Sequence, residues 1–151
     1  MSEFDKCLAS AQRSLAMREH SCFQIKNKLI NKGFDSEIID SVVLEIKATG
    51  FQSDERYTEE YIRYRQNYGY SSKKIIYELK SNGVSSEIIN NKIKNFNDDY
   101  SVLYNFAKAK LIDVNLDDEK IFTKYINNFK SRGFEYSTIL KVLKNIKNYE
   151  K

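Results

Sequence analysis

The residue types that most often carry catalysis are scarce in this chain and do not form a catalytic pattern. His20 is the sole histidine and directly precedes a predicted helix start, so we expect a solvent-exposed or lightly packed imidazole rather than a general base. Glu59 and Glu60 are adjacent on a predicted helix, and adjacent helical residues do not face each other. The sequence holds no phosphate-binding glycine loop and no zinc-binding spacing. We therefore expect a protein that is not an enzyme and that uses no metal and no cofactor.

The remaining candidates for metal or redox chemistry are explained by structural roles. Two pairs of aspartates stand where predicted helices begin: Asp98 with Asp99, and Asp117 with Asp118. A carboxylate at a helix start accepts hydrogen bonds from free backbone N–H groups, so capping explains both pairs. Cys7 and Cys22 are the only cysteines and form neither a metal-binding spacing nor a disulfide framework. We expect both thiols to be reduced and partly buried, as is usual in a cytosolic protein.

A stripe of tyrosines is the first of two features that could mediate binding. Its members recur at spacings of four, three and four on one predicted helix: Tyr57, Tyr61, Tyr64 and Tyr68. Packing in a core explains such a stripe best, and stacking on nucleic-acid bases is the alternative.

Basic residues on the neighbouring faces are the second feature. Arg56 and Arg63 lie two helical turns apart, and Glu59 can pair with Arg63. Further positive charges follow along the chain at Arg65, Lys73, Lys74 and Lys80. A solvated and partly self-paired helix face would produce this pattern, and so would a docking surface for an acidic partner.

The helices that carry these residues follow a repeat of fifty residues. Gly33, Gly83 and Gly133 are spaced at that interval, and five apolar columns recur around them. The columns are Leu29, Leu79, Phe129; Phe34, Val84, Phe134; Ile39, Ile89, Ile139; Val43, Ile93, Leu143; and Ile46, Phe96, Ile146. Glycine commonly ends a helix because it adopts left-handed backbone angles without strain, and the apolar residue after it folds back onto that helix. The three glycines therefore define the repeat.

Apolar spacing and capping residues predict nine helices in three units. The first unit has helices over about 3–19, 21–33 and 35–50, with Ser21 and Gln24 forming a capping box. The other units have helices over about 53–69, 71–83 and 85–96, and over about 99–111, 117–132 and 135–151. We therefore predict an all-α fold of three tandem three-helix repeats, with boundaries at 1–50, 51–97 and 98–151. A unit of this size buries little surface alone, so the repeats should stack into an elongated array.

Composition agrees with a helical fold and limits the classes of partner. Of the 151 residues 41% are apolar and 30% are charged, none is proline, and the five glycines all fall where helical periodicity stops. The net charge of +4 is mild, so an acidic partner is permitted rather than required. The N-terminal MSEFDKCLAS lacks the basic end and apolar run of a signal peptide, and no apolar stretch approaches the ~20 residues of a membrane span. We expect a cytoplasmic protein without membrane contact.

The helix, glycine turn and helix also invite comparison with a helix-turn-helix motif, with 36–48 as the reading helix. Base-reading helices meet DNA with their N-terminal residues. Here those positions hold Asp35 and Glu37, and the matching copies hold Glu87 and Glu135. Acidic side chains would repel phosphates, so sequence-specific reading of the major groove is disfavoured.

The sequence resembles the RecX family of regulatory proteins, most densely in its central repeat. The matching central residues are Gly50, Phe51, Asp54, Arg56, Tyr57, Tyr61, Ile62, Arg65, Gly69, Ile75, Glu78, Leu79, Gly83 and Val84. The first repeat resembles the family's AxREHS start and KLxxKGF end at Ala16, Arg18, Glu19, His20 and Ser21, and at Leu29, Lys32, Gly33 and Phe34. The third repeat matches in its apolar pattern and in Gly133.

The resemblance implies a non-enzymatic modulator of the recombinase RecA. Members of the family are three tandem three-helix repeats bent into an elongated, curved body that lies in the groove of the RecA filament on single-stranded DNA. They span neighbouring subunits and suppress ATP hydrolysis, strand exchange and the co-protease activity that triggers the SOS response. We expect a monomer that contacts the RecA filament and can approach single-stranded DNA. Capping of filament growth and binding along the groove are both compatible with this role.

Nine basic residues are our hypothesis for the surface that contacts RecA or DNA. They are Arg56, Arg63, Arg65, Lys73, Lys74, Lys80, Lys108, Lys110 and Arg132. Two other classes of function remain open: a stand-alone DNA-binding helical protein, and a generic helical-repeat adaptor for another protein. A DNA binder should lose affinity steeply with salt and need no RecA, whereas an adaptor should ignore both.

Overall fold

The computed structural model describes the backbone of residues 1–149 and the side chains of residues 1–148. Within that range the chain forms nine α-helices and no strand. The helices are α1 (Glu3–Met17), α2 (Cys22–Asn31), α3 (Ser36–Ala48), α4 (Asp54–Asn67), α5 (Ser72–Ser81), α6 (Ser86–Lys92), α7 (Asp99–Lys110), α8 (Glu119–Ser131) and α9 (Tyr136–Tyr149). The predicted all-α fold is confirmed, while residues 150 and 151 of the last predicted helix lie outside the described residues.

Side chains that accept hydrogen bonds from backbone N–H groups define several helix starts. Ser21 and Gln24 form the predicted capping box, in which each side chain accepts from the other residue's backbone N–H at 3.1 Å. Ser71 accepts from a backbone N–H three residues further on and so caps α5. Asp118, rather than Asp117, caps α8. These starts were predictable because each cap lies within three residues of its partner.

The loop between α1 and α2 corrects the prediction for His20. α1 ends at Met17 because Arg18 is extended rather than helical, and the chain then turns His20 inward, which leaves 2% of it exposed. The Nδ1–H of His20 donates to the Arg18 carbonyl at 2.9 Å, and Gln52 Nε2 donates to the His20 carbonyl at 3.2 Å. The expectation of a solvent-exposed or lightly packed imidazole is wrong, because a segment distant in sequence helps to enclose the ring.

Contacts divide the chain into two compact units. One unit comprises Met1–Glu60 with Leu79–Lys94, and the other comprises Tyr61–Glu78 with Asn95–Lys151. The units therefore divide inside α4, inside α5 and between Lys94 and Asn95, and the predicted division into three repeats stays a prediction. None of the helices within residues 1–149 has a stretch long and apolar enough to cross a membrane.

Each unit has its own apolar core. The first is built from α1, α2 and α3 by Cys7, Ala11, Ile25, Leu29, Ile39, Val42, Val43 and Ile46. The second contains Val102, Leu103, Ala107, Leu111, Leu116, Phe129, Phe134, Ile139, Val142, Leu143 and Ile146. Most of the predicted apolar columns are buried, but Ile93 is 45% exposed. α6 ends at Lys92 and continues as the 3₁₀ turn Ile93–Asn95, so Ile93 no longer follows the helical period that would turn it inward.

A glycine turn packs against a helix start in each unit. In the first unit a Cβ on Gly83 would overlap the side chain of Phe23 at the start of α2, and Ser21 Oγ donates to the Asn82 carbonyl at 2.7 Å. The second unit has the same joint fifty residues later. There a Cβ on Gly133 would overlap the side chain of Ser71.

Aspartates complete both joints. Asp54 Oδ1 at the start of α4 accepts from the backbone N–H of Cys22 at 2.9 Å. In the second unit Asp99 Oδ1 at the start of α7 accepts from the backbone N–H of Ser72, also at 2.9 Å. In each joint, therefore, both a glycine turn and an aspartate carboxylate contact the start of the same helix.

Candidate interaction surface

The nine predicted contact residues are divided between the two units. Arg56 and Lys80 belong to the first unit, and the second unit holds Arg63, Arg65, Lys73, Lys74, Lys108, Lys110 and Arg132. Several side chains of the second group gather around one aromatic ring, that of Tyr70, which lies in the turn between α4 and α5.

We call this group the Tyr70 cluster; its members are Arg65, Tyr70, Lys74, Phe106 and Arg132. The guanidinium carbon of Arg65 lies 3.6 Å from the centroid of the Tyr70 ring, and that of Arg132 lies 4.7 Å from it. The ammonium nitrogen of Lys74 is 5.6 Å from the same centroid. Cations within about 6 Å of a ring centroid are attracted by the electrons of its face. One tyrosine therefore organises three cations from α4, α5 and the end of α8.

Arg132 is fixed by neutral partners. Its Nη1 donates to the Tyr68 carbonyl at 2.5 Å, and its Nε lies 3.4 Å from Asn128 Oδ1. Its guanidinium carbon also lies 4.2 Å from the centroid of Phe106. Because no carboxylate within the described residues pairs with Arg132, its charge is held in place without being neutralised.

Lys74 and Arg65 differ in whether their hydrogen-bond partners are neutral or charged. Lys74 Nζ donates to the Ser131 carbonyl at 2.9 Å, which is again a neutral partner. Arg65 donates to both carboxylate oxygens of Glu78, at 3.1 and 2.8 Å. Burial disfavours the charged form of Arg65, but the hydrogen bonds and charge of Glu78 outweigh it, so the pKa of Arg65 is raised. Arg65 therefore positions Tyr70, while Lys74 and Arg132 carry the charge available to a partner.

Arg56 holds the first unit together. It forms an ion pair with Glu19 and donates to the carbonyls of Gly50 and Phe51 at 3.0 and 2.9 Å. These contacts connect the start of α4 with the loops before α2 and before α4 itself. Because Arg56 has three partners in its own unit, its main role is structural. Solvent screens its half-exposed charge.

The remaining predicted cations are exposed. Arg63, Lys73, Lys80, Lys108 and Lys110 make up this set. The ammonium nitrogen of Lys110 lies 5.7 Å from the centroid of Phe106, so Lys110 flanks the Tyr70 cluster. Lys108 lies 6.0 Å from the centroid of Tyr104. Among the described residues neither lysine has a carboxylate partner.

The tyrosine stripe of α4 is not uniform. Tyr57 is 2% exposed and its hydroxyl accepts from Asn82 Nδ2 at 2.9 Å, and burial raises its pKa. Tyr64 and Tyr68 are 59% and 55% exposed, and their ring centroids lie 4.8 Å apart. Core packing therefore explains Tyr57 but not Tyr64 or Tyr68.

Sequence reasoning missed Tyr70 and Phe106, the rings that organise the cations. Tyr70 follows Gly69 in the turn between α4 and α5, and no periodic pattern marks such a position. Phe106 packs against Gly69, where an added Cβ would overlap its ring. Gly69 was therefore the available signal in the sequence, since a glycine can mark a site where another side chain closely approaches the backbone.

Neither a metal site nor a reactive thiol is evident in the described part of the chain. No group of three or more His, Cys, Asp or Glu is placed to hold a metal ion there. Both cysteines are free, Cys7 being buried and Cys22 partly buried. Burial, aided by the charge of Glu3, raises the pKa of Cys7, and a raised pKa lowers the fraction of the nucleophilic thiolate.

Fold and surface together define an all-α protein of tandem three-helix domains with fixed surface cations. Two family models match these domains: the first three-helix domain of RecX over residues 7–45 and its second three-helix domain over residues 53–92. The chain belongs to the RecX family of regulatory proteins.

Curated relatives support this membership over nearly the whole chain. The regulatory protein RecX of Legionella pneumophila is 32% identical over 153 aligned residues, which cover 95% of this chain and 96% of the relative. The regulatory protein RecX of Haemophilus ducreyi is 29% identical and covers 90% of this chain and 91% of the relative.

Solved structures agree in fold. The crystal structure of RecX from Lactobacillus salivarius matches with a TM-score of 0.73 over 96% of this chain and 97% of that chain, at 16% identity. A second crystal structure of a regulatory protein RecX also gives a TM-score of 0.73, over 94% of this chain and 73% of that chain. At such low identity the agreement concerns the helical fold alone.

Proposed function

We propose that this chain is a non-enzymatic regulator that binds the RecA filament on single-stranded DNA and inhibits its ATPase, recombinase and co-protease activities. Membership of the RecX family and the regulatory names of the relatives support the proposal. A protein with this function acts as a cytoplasmic monomer in homologous recombination and DNA repair, and restrains the SOS response.

The Tyr70 cluster is the observation that carries the proposal. Lys74 and Arg132 donate to backbone carbonyls and an amide rather than to carboxylates, so their positions are fixed while their charges stay available. Fixed cations bind carboxylates and phosphates through short charge-assisted hydrogen bonds, and a guanidinium can form two at once. An acidic segment of RecA or the phosphate backbone of its DNA would supply such groups.

Inhibition of RecA is the direct test. Purified chain is added to RecA, ATP and single-stranded DNA, and the rate of ATP hydrolysis is measured. We expect the rate to fall as the chain is added. A rate that stays unchanged at saturating amounts of the chain would remove the proposed function.

A double substitution tests the cluster itself. Lys74→Gln with Arg132→Gln should weaken inhibition at least about tenfold, because hydrogen bonds to charged groups contribute about 1.5–3 kcal/mol each. The matched control is Lys47→Gln with Lys120→Gln, which removes the same charge from exposed positions outside the cluster. Circular dichroism checks that both variants keep their helical content. Equal inhibition by the two variants would exclude the cluster from the interface.

The stand-alone DNA binder is the second candidate. It is favoured by two nearly parallel rings on α7, those of Tyr100 and Tyr104, whose centroids lie 6.0 Å apart. Salt separates the two functions, since binding through phosphates alone weakens steeply as salt rises. A RecA regulator should still inhibit filaments at salt concentrations where its own binding to DNA has been lost.

A further inference from the structure

A second aromatic site lies on α7 and α9, apart from the residues of the Tyr70 cluster. Tyr100 and Tyr104 are one helical turn apart on α7, with ring centroids separated by 6.0 Å and ring planes inclined by only 13°. Both rings pack partly against the core of the second unit. Two nearly parallel rings therefore form a fixed aromatic platform at the surface.

An open cavity of about 450 Å³ adjoins these rings. Its lining consists of Tyr100 and Tyr104 from α7 and Asn145 and Asn148 from α9. Asn145 Nδ2 donates to the hydroxyl of Tyr100, which fixes the orientation of that ring. Ligand sites usually combine apolar rings with a few polar groups in volumes of about 300–1,000 Å³. The cavity has that size and that chemistry.

Two lysines add positive charge to the site. The ammonium nitrogen of Lys108 lies 6.0 Å from the centroid of Tyr104. Lys144 is exposed, and a spacing of four residues puts it on the same side of α9 as Asn148. Within the described residues no carboxylate pairs with either lysine. A polyanion is therefore the ligand that this charge favours.

We propose that Tyr100, Tyr104, Asn145 and Asn148 form a base-stacking site for single-stranded nucleic acid. Consecutive bases stack on the two tyrosine rings, since every base has an aromatic face. The asparagine amides can donate to and accept from base edges, while Lys108 and Lys144 contact phosphates. The site goes beyond the regulation of RecA and names the residues that the second candidate, DNA binding, would use. It rests on that candidate and needs no RecA, so its test can fail or succeed independently of the RecA ATPase test.

Proline-rich peptides are the other ligands that commonly dock in aromatic grooves. Binding of such a peptide would not use the charges of Lys108 and Lys144, whereas the phosphates of a nucleic-acid backbone would pair with both. Nucleic acid therefore fits both the rings and the charges, and a peptide fits the rings alone.

Abasic DNA separates stacking from phosphate contact. Fluorescence anisotropy measures binding of the full chain to a labelled oligothymidylate and to an abasic oligonucleotide with the same number of phosphates. Stacking on one aromatic ring should strengthen binding about tenfold, so we expect the oligothymidylate to bind at least that much more tightly. Equal affinities, or no binding of the oligothymidylate, would overturn the proposal, as would tighter binding of a labelled polyproline peptide.

Tyr104→Leu locates the stacking. The substitution keeps an apolar side chain against the core, so we expect it to lower oligothymidylate affinity about tenfold and to leave abasic affinity unchanged. The control is Tyr77→Leu, because Tyr77 is an exposed tyrosine on α5 outside the site. Photocrosslinking with an iodouridine oligonucleotide gives an independent readout, with adducts expected on Tyr100 or Tyr104. Adducts confined to other residues, or equal effects of the two leucine variants, would contradict this location.

Discussion

The imidazole of His20 is a buried base in a protein that has no other histidine. Burial lowers the pKa of His20. The hydrogen bond to the Arg18 carbonyl and the charge of Glu19 oppose that shift, and the charges of Arg18 and Lys28 add to it. Nε2 has no hydrogen-bond partner within the described residues. The folded protein therefore favours the neutral form of the His20 imidazole.

A pH titration of stability tests this assignment. A histidine whose folded pKa lies below its unfolded value of about 6.5 binds more protons when the chain is unfolded, so its contribution is present above that pH. We expect the free energy of unfolding, measured with urea, to decrease as pH falls from about 7 toward the lowered pKa. His20→Gln cannot titrate in this range and should show a smaller decrease. The same slope in both proteins would assign the effect to other groups.

At the scale of elements, glycine turns join helices in two places with the same chemistry. A Cβ on Gly83 would contact Phe23 in the first unit and a Cβ on Gly133 would contact Ser71 in the second, whereas a Cβ on Gly33 would have no atom within 4 Å beyond its own residue and its chain neighbours. All three glycines have positive φ. An L-residue would therefore be strained at any of the three positions, whereas only Gly83 and Gly133 of these three are closely packed.

Alanine substitutions separate the two effects. Gly33→Ala should cost about 1–2 kcal/mol, because an L-residue is strained at φ +88°. Gly83→Ala carries similar strain at φ +81° and also overlaps Phe23, so overpacking should add roughly 1–3 kcal/mol. Urea unfolding of both variants measures the difference. A Gly83→Ala variant as stable as Gly33→Ala would mean that Phe23 moves to make room for the added methyl group without lowering the free energy of unfolding.

At the scale of the whole chain, contact units and sequence repeats do not coincide. The first compact unit includes Leu79–Lys94 in addition to Met1–Glu60. Leu79 and Ile89 from the added segment are almost completely buried. The first predicted repeat, 1–50, therefore lacks apolar residues that belong to its compact unit.

Truncation tests this dependence. A fragment of residues 1–97 contains all of the first unit, whereas a fragment of residues 1–50 lacks its second segment. Because small chains bury too little apolar surface to be stable alone, we expect the shorter fragment to have less helix per residue and a lower melting temperature. Circular dichroism measures both quantities. Cooperative unfolding of the 1–50 fragment at the same temperature as the 1–97 fragment would show that the first repeat folds independently.

The sequence by itself determined the helices, their caps and the resemblance to the RecX family. Ser21 with Gln24 and the glycines at fifty-residue intervals are local signals, because a cap or a helix end depends on atoms within about four residues. Apolar periodicity is equally local. It failed at Ile93, where a 3₁₀ turn replaced the expected helix, and in the tyrosine stripe at Tyr64 and Tyr68, which are exposed.

The tertiary structure alone decided which side chains act together. Arg65 is paired with a carboxylate thirteen residues away, and Arg132 hydrogen-bonds a carbonyl sixty-four residues away. Nothing local distinguishes these arginines from Lys110, which has no carboxylate partner among the described residues. Whether a charge is neutralised or a ring such as His20 is buried depends on segments that only folding brings together, so spacing along the chain could not predict it.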